Sequence, residues 1–313
     1  PHLFSSAASD VYKRQPLTWP GNAGCAVVVL LYLEHWELFP PKEAVLDQRL
    51  ARANGGGFFP ETRAHSYREY GSRVGVYRIL DVLDRHAVKA TVALNASVCE
   101  RYPRLVEACV ERGYEFVGPG SHATRMISSA MDEQTERAHI RDSLKALTAA
   151  TGKSPVGWLG QDYGESARTP ALLAECGIDY VMDWPNDERP YLLNTDPVVV
   201  SIPTSPHLDD VQALWLGGVA HTRYPSLVRD TLDELSMAPQ AATMRGGWRT
   251  GSLMCTLGIH PWMLGRPHRI RYLDEALAQV RRRSSVWQPF AGELARHARD
   301  ALSVSPVRLP GTP

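Results

Sequence analysis

The sequence predicts a parallel α/β fold in which seven or eight strands close into a barrel, and three observations carry that prediction. Short apolar segments alternate with helix-like segments along the whole chain, the pattern of repeated strand–helix–strand units. Residues 25–33 (Cys-Ala-Val-Val-Val-Leu-Leu-Tyr-Leu) are apolar almost without interruption, as a strand covered on both faces reads. The chain is 313 residues long with no break in composition, a length that suits one closed barrel.

The elements follow in order. The strand at 25–33 ends in Glu34, His35, Trp36 and Glu37, and residues 38–68 read as a long irregular connection of the kind that forms lids. A helix over about 71–86 carries an apolar stripe of Val74, Tyr77, Leu80, Val82 and Leu83. Residues 89–95 are the second strand, 105–112 a helix stopped by Gly113, and 114–118 the third strand, which leads to His122. Asp132 caps a helix running to about Ala150. A short strand at 156–160 opens into a polar turn, and Thr169 with Pro170 starts a helix that ends at Gly177. Strands at 178–184 and 198–203, a helix at 224–237, a loop at 238–251 and a strand from 252 to His260 come next, before helices at 272–283 and 292–302. We read residues 16–303 as a single domain. Residues 1–15 are set aside as a non-native or disordered leader, because they resemble a translated adaptor and lack apolar periodicity, and 304–313 as a flexible tail.

Composition narrows the partners. Lys plus Arg and Asp plus Glu each number 34, so no net charge draws the chain to nucleic acid or to an anionic membrane. The longest apolar run is too short to span a bilayer. Five cysteines, scattered and odd in number with no CxxC pair, fit a reducing cytoplasm better than a disulfide framework or a cysteine metal cluster. A small-molecule substrate is expected, with no nucleic acid and no membrane partner, and self-association into a homo-oligomer is left open. No GxGxxG or P-loop pattern follows a strand, so nucleotide cofactors have no support.

Polar residues gather where the strands end. In 253–260 the alternation puts Leu253, Cys255, Leu257 and Ile259 on one face and Met254, Thr256, Gly258 and His260 on the other, and Pro261 stops the strand. The same rim receives Glu34 with His35, Asn95, His122, Asp162 with Glu165, and Asp183 with Trp184 and Asp187. Singly, each has a structural explanation: Asp183 and Asp187 as turn caps, Trp158 and Trp184 as core, Glu165 as a carboxylate at a helix start. Acids and imidazoles at strand end after strand end point instead to an active site.

Four motifs add a resemblance. Tyr-Glu-Phe-Val-Gly-x-Gly (114–120), Gly-Trp-Leu-Gly (157–160), Asp-Trp-x-Asn-Asp-x-x-Pro-Tyr (183–191) and His-Pro-x-x-x-Gly-x-Pro-His-Arg-Ile (260–270) resemble the polysaccharide deacetylase (NodB-like) family. Within it the branch containing the cofactor-independent allantoinases is most similar, and Arg-Glu-Tyr-Gly-Ser-Arg (68–73) also fits that branch. The resemblance implies a distorted (β/α) barrel and hydrolysis of a non-peptide carbon–nitrogen bond. Metal-dependent members use an aspartate after the first strand and two histidines four residues apart after the third. Here Glu34 stands where an aspartate pair is expected, Pro119 replaces the branch's histidine–glycine, and His122 has Gly118 and Met126 four residues to either side.

A divalent metal needs about three converging donors, so no cofactor is expected, with zinc as the alternative. Metal-free hydrolysis of an amide or ureide still needs a base for water, donors for the oxyanion and an acid for the leaving nitrogen. Glu34 is the candidate base, His260 the candidate acid and His122 a third catalytic residue; exchanging the roles of Glu34 and His260 fits the sequence equally well. His35, Glu165, Asp183, Trp184, Asp187 and Trp158 are the candidate substrate-binding residues. The expected function is a small-amide or ureide hydrolase, the alternatives being a metal-dependent carbohydrate N-deacetylase and a degenerate barrel that binds without turnover.

Overall fold

The strand expected at 25–33 forms over its full length as β1 (Cys25–Leu33) and is the axis of the computed structural model, which describes residues 17–42, 59–241 and 252–303. Its even-numbered side chains Ala26, Val28 and Leu30 point into the barrel, where they meet Ala93, Val117, Leu159, Met182, Val200, Ile202 and Met254. The odd-numbered Val27, Val29 and Leu31 point outward to the helices. Burial on both faces removes every one of these side chains from water, a gain of about 1.5–3 kcal/mol for each Val or Leu. The leader expected at 1–15 and the tail expected at 304–313 lie outside the described residues, as do 43–58 of the first connection and 242–251 of the later loop.

Parallel pairing runs outward from β1. It bonds to β2 (Thr91–Leu94) on one side and to β8 (Leu253–Ile259) on the other, while β9 (Val286–Trp287) pairs with its first two residues. β3 (Glu115–Val117) follows β2, and one parallel bridge between Gly118 and Trp158 carries the sheet to β4 (Gly157–Trp158). From there it continues to β5 (Tyr180–Val181) and β7 (Val200–Ser201), with β6 (Tyr191–Leu192) antiparallel on β7. Seven strands thus follow one another in parallel, within the expected seven or eight. Between β7 and β8 the contact passes through side chains: Ser205 N donates to Thr256 Oγ1 at 2.8 Å and Thr256 N donates to Ser205 Oγ at 3.1 Å.

Helices cover the outer face: α1 (Thr62–Tyr70), α2 (Val76–Arg85), α3 (Ala96–Arg101), α4 (Pro103–Glu111), α5 (Glu133–Thr151), α6 (Thr169–Glu175), α7 (Tyr224–Ala241), α8 (Ile270–Arg281) and α9 (Ala291–Ser303). Asp132 caps α5 as expected, its Oδ1 accepting from Thr135 N at 2.9 Å. α9 turns inward and closes the barrel floor with Ala291, Leu294, Ala295 and Ala298 against Leu17 and Trp19. Among the described residues no helix is long and apolar enough to cross a membrane.

The structure differs from the expectation at α1, which occupies part of the supposed irregular connection. That helix has no apolar stripe, since only Ala64 and Arg68 are buried along it, so periodicity gave no signal. It runs through a wide turn, Gly71–Gly75, into α2. A Cβ at Gly71 would stand 2.5 Å from Trp262 N, so glycine is what lets α1 lie against the loop after β8.

Candidate active site

The β1–β8 register places Leu31 opposite Ile259, which brings the next residues of both strands, Tyr32 and His260, side by side at the rim. Their rings stack at 4.1 Å between centroids and 7° between planes. Asp210 grips His260 twice: its Oδ2 accepts the backbone N–H at 2.9 Å and its Oδ1 lies 2.6 Å from Nδ1. Asp209 Oδ1 stands 4.0 Å from Nδ1 while accepting the N–H groups of Val211 and Gln212, each at 2.9 Å. Glycine at 258 is required for this approach, because a Cβ there would lie 2.2 Å from Asp209 Oδ2. On the opposite ring nitrogen, Glu34 Oε2 is 3.9 Å from Nε2, beyond hydrogen-bonding distance.

The charges are set by burial and by one another. Burial disfavours a charged His260, but Asp209, Asp210 and Glu34 outweigh it and raise its pKa to about 10. At neutral pH the ring is therefore an imidazolium, its Nδ1–H donating to Asp210 Oδ1 and its Nε2–H facing the cleft. Burial raises Asp209 and lifts Asp210 to about 6, against the pull of the imidazolium.

The cleft around this pair is lined by Tyr32, Glu34, Arg68, Gln161, Asp162 and Trp262, among others. Gln161 Nε2 donates to Glu34 Oε1 at 2.9 Å, which leaves Oε2 facing the imidazole. The Arg68 guanidinium lies 3.7 Å over the Trp36 ring and 4.8 Å over Trp262. Burial lowers its pKa to about 10, and it stays cationic at neutral pH.

Of the residues singled out from the sequence, Glu34 and His260 meet here and Asp162 lines the same cleft, while the remaining candidates do not join them. His122 stands in a neighbouring cluster, with Nε2 3.8 Å from Glu37 Oε1 and its ring 5.8 Å from His35. The reason is a pinning of the loop after β3: Ala123 N donates to His35 O at 3.0 Å, and Thr124 and Arg125 bind Glu37 at 2.5 and 2.6 Å. Burial lowers the pKa of His122 and takes that of His35 to about 4. Trp158, expected to bind substrate, is wholly buried between α5 and α6; Gly157 faces inward against Tyr180, so its neighbour in the strand must face out. Trp184 packs half-buried on the same outer cluster. Half-buried Glu165 and buried Asp183 neighbour each other outside the residues that line the cleft, and Asp187 accepts from Glu188 N at 2.7 Å in a surface turn.

Sequence reasoning missed Asp209, Asp210, Tyr32, Gln161 and Arg68. An adjacent Asp-Asp pair a few residues past the strand at 198–203 was the available signal for the first two. Asp209, Asp210 and His260 offer donor atoms within 4.8 Å of one another, a composition that can hold a cation.

Residues 69–181 match the family model described as polysaccharide deacetylase. A Schizosaccharomyces pombe protein whose name, polysaccharide deacetylase, is provisional is 26% identical over 257 residues, covering 75% of this chain and 76% of its own. The crystal structure of PuuE allantoinase superposes with a TM-score of 0.76 at 24% identity, over 92% of this chain and 95% of that one, a likeness of fold. A provisionally named polysaccharide deacetylase from Pseudomonas aeruginosa PAO1 gives 0.75 at 26% identity, over 92% and 96%. The resemblance read from the motifs is borne out, and so is the parallel α/β barrel class. Glu34 and His260 both lie outside the residues that the family model matches.

Proposed function

From a chain that carries a polysaccharide deacetylase domain at residues 69–181, we propose a hydrolase of non-peptide carbon–nitrogen bonds that needs no metal, with a small amide or ureide as substrate. The observation that carries the reading is the arrangement of Glu34 and His260: a carboxylate and an imidazolium 3.9 Å apart, each fixed from behind, by Gln161 and by Asp210. Glu34 Oε2 takes a proton from water as its oxygen attacks the carbonyl carbon. The Nε2–H of His260 faces the oxyanion that forms, and the same proton passes to the leaving nitrogen as the C–N bond breaks. The raised pKa of His260 favours it as the acid and leaves Glu34 as the base. Arg68 and Trp262 stand on the cleft wall, where they can orient a planar substrate.

Donor spacing supports the metal-free reading. Ligands sharing a tetrahedral zinc ion at about 2.0–2.2 Å lie about 3.3 Å apart, whereas His260 Nδ1 and Asp210 Oδ1 are 2.6 Å apart, closed on a proton. That pair, closed by a hydrogen bond, does not fit a shared zinc ion.

The test uses purified protein, stripped with a chelator, on allantoin and an N-acetylchitooligosaccharide. One of these should be hydrolysed undiminished by the chelator. Glu34→Gln should lose at least about tenfold in kcat, roughly 1.4 kcal/mol in barrier. Full activity in Glu34→Gln refutes the mechanism, and chelator-sensitive acetate release from the sugar would favour a metal-dependent deacetylase instead.

A further inference from the structure

We propose that Asp183 is a positioning residue for Glu34, acting through the turn at residues 160–164 and the side chain of Gln161; the inference rests on the hydrolase reading above. Asp183 is buried and does not line the cleft, so direct contact with substrate is not its place. Its Oδ1 accepts the Gly160 N–H at 2.6 Å. Gly160 opens a turn in which two consecutive non-glycine residues, Asp162 (φ 51°) and Tyr163 (φ 60°), take left-handed backbone conformations. Such a pair persists only where the surroundings hold it. The turn is also tight: a Cβ on Gly160 would lie 2.8 Å from Gly164 O.

What the turn carries is Gln161. Its Nε2 donates to Glu34 Oε1 at 2.9 Å, and its Oε1 faces Asn95 Nδ2 at 3.5 Å, while Asn95 Oδ1 accepts His35 N at 3.1 Å. Asp183 thus fixes a turn, the turn aims Gln161, and Gln161 occupies one oxygen of Glu34 so that the other faces His260. Glu165 is the acidic neighbour of Asp183. Burial and the neighbouring Asp183 charge raise the pKa of Glu165, and burial raises that of Asp183, so the two carboxyls resist carrying two charges side by side.

The experiment compares Asp183→Ala, Asp183→Asn, Gln161→Ala and the Asp183→Ala/Gln161→Ala double variant in the full chain, on whichever of the two probes the parent hydrolyses. Asp183→Ala should lose about tenfold or more in kcat with KM within about threefold, since misplacement by an ångström can cost as much as 10²-fold. Asp183→Asn should recover most of that loss, because an amide oxygen still accepts from Gly160. The double variant should fall within about twofold of the worse single variant, as expected for two residues on one path. A rise in KM alone, unchanged kcat in folded Asp183→Ala, or additive losses would overturn the proposal. Should Asp183→Ala fail to fold, Gln161→Ala must show the kcat loss by itself, and parent-like kcat there overturns it equally. A parent inactive on both probes defeats the hydrolase reading and not this one. In that case a crystal structure of Asp183→Asn or Asp183→Ala decides: release of Gln161 from Glu34 in the alanine variant alone supports the inference, and retention in both overturns it.

Discussion

Replacing Asp210 by Asn removes one charge from behind His260 while keeping an oxygen that can accept the Nδ1 proton. Burial would push the pKa of His260 down, yet Asp209, Asp210 and Glu34 bring it from 6.5 up to about 10. That rise is worth about 5 kcal/mol in favour of the imidazolium, at about 1.4 kcal/mol per tenfold. Asp210 supplies both a charge and a 2.6 Å hydrogen bond, so Asp210→Asn should bring the pKa down by at least about one unit, or about 1.4 kcal/mol. A raised folded pKa means that the charged ring stabilises the fold fully below pH 6.5 and ceases to do so as pH rises through about 10. The same deprotonation removes the acid, so kcat/KM of the parent should fall on an alkaline limb near pH 10. In Asp210→Asn that limb should move down by a unit or more, in step with the His260 titration followed by NMR. A parent His260 that titrates near pH 6.5, or an alkaline limb unmoved by Asp210→Asn, would refute the charge argument.

Other expectations follow from close contacts. Gly258→Ala sets a Cβ 2.2 Å from Asp209 Oδ2 and should cost about 1–3 kcal/mol in urea unfolding, with a lowered His260 pKa as Asp209 retreats; a parent-like midpoint would contradict it. Thr256→Val keeps the shape of the side chain but deprives Ser205 N of its acceptor, so it should destabilise by about 1–3 kcal/mol, measured by chemical denaturation. Ser205→Ala should have a comparable effect through Thr256 N.

The parts of this protein that could be read from its sequence are those with long, regular signals. β1 was legible from nine nearly uninterrupted apolar residues, and β8 from seven residues of alternation that fix which side chains share a face, with His260 following from that phase. Their adjacency, and hence the meeting of Glu34 and His260, follows from a parallel barrel in which first and late strands are neighbours. Trp158 was misplaced because a two-residue strand has almost no phase to read, and only the Gly157–Tyr180 contact decides it. Arg68 was hidden in a helix without an apolar stripe, where two tryptophans, 32 positions before it and 194 after, bury it. Asp209 and Asp210 read locally as ordinary turn residues, and their partner lies 50 positions away. His122 went to the wrong cluster because grips on Glu37 and His35 steer its loop, and none of those contacts is local in sequence.

The unladdered seam between β7 and β8 has a consequence for how this active site can exist at all. Ser205 and Thr256 are clasped by their hydroxyls, and four residues further along each chain come Asp209 and His260. A regular strand continuing from β7 would have filled that gap with backbone and turned alternate side chains away from the barrel mouth. Clasping at one point and then letting go allows residues 206–210 to fold inward and deliver two adjacent acids to one imidazole, at a register that the clasp sets. The place where the barrel is least regular is thus the place that lets a carboxylate pair reach the end of its most regular strand.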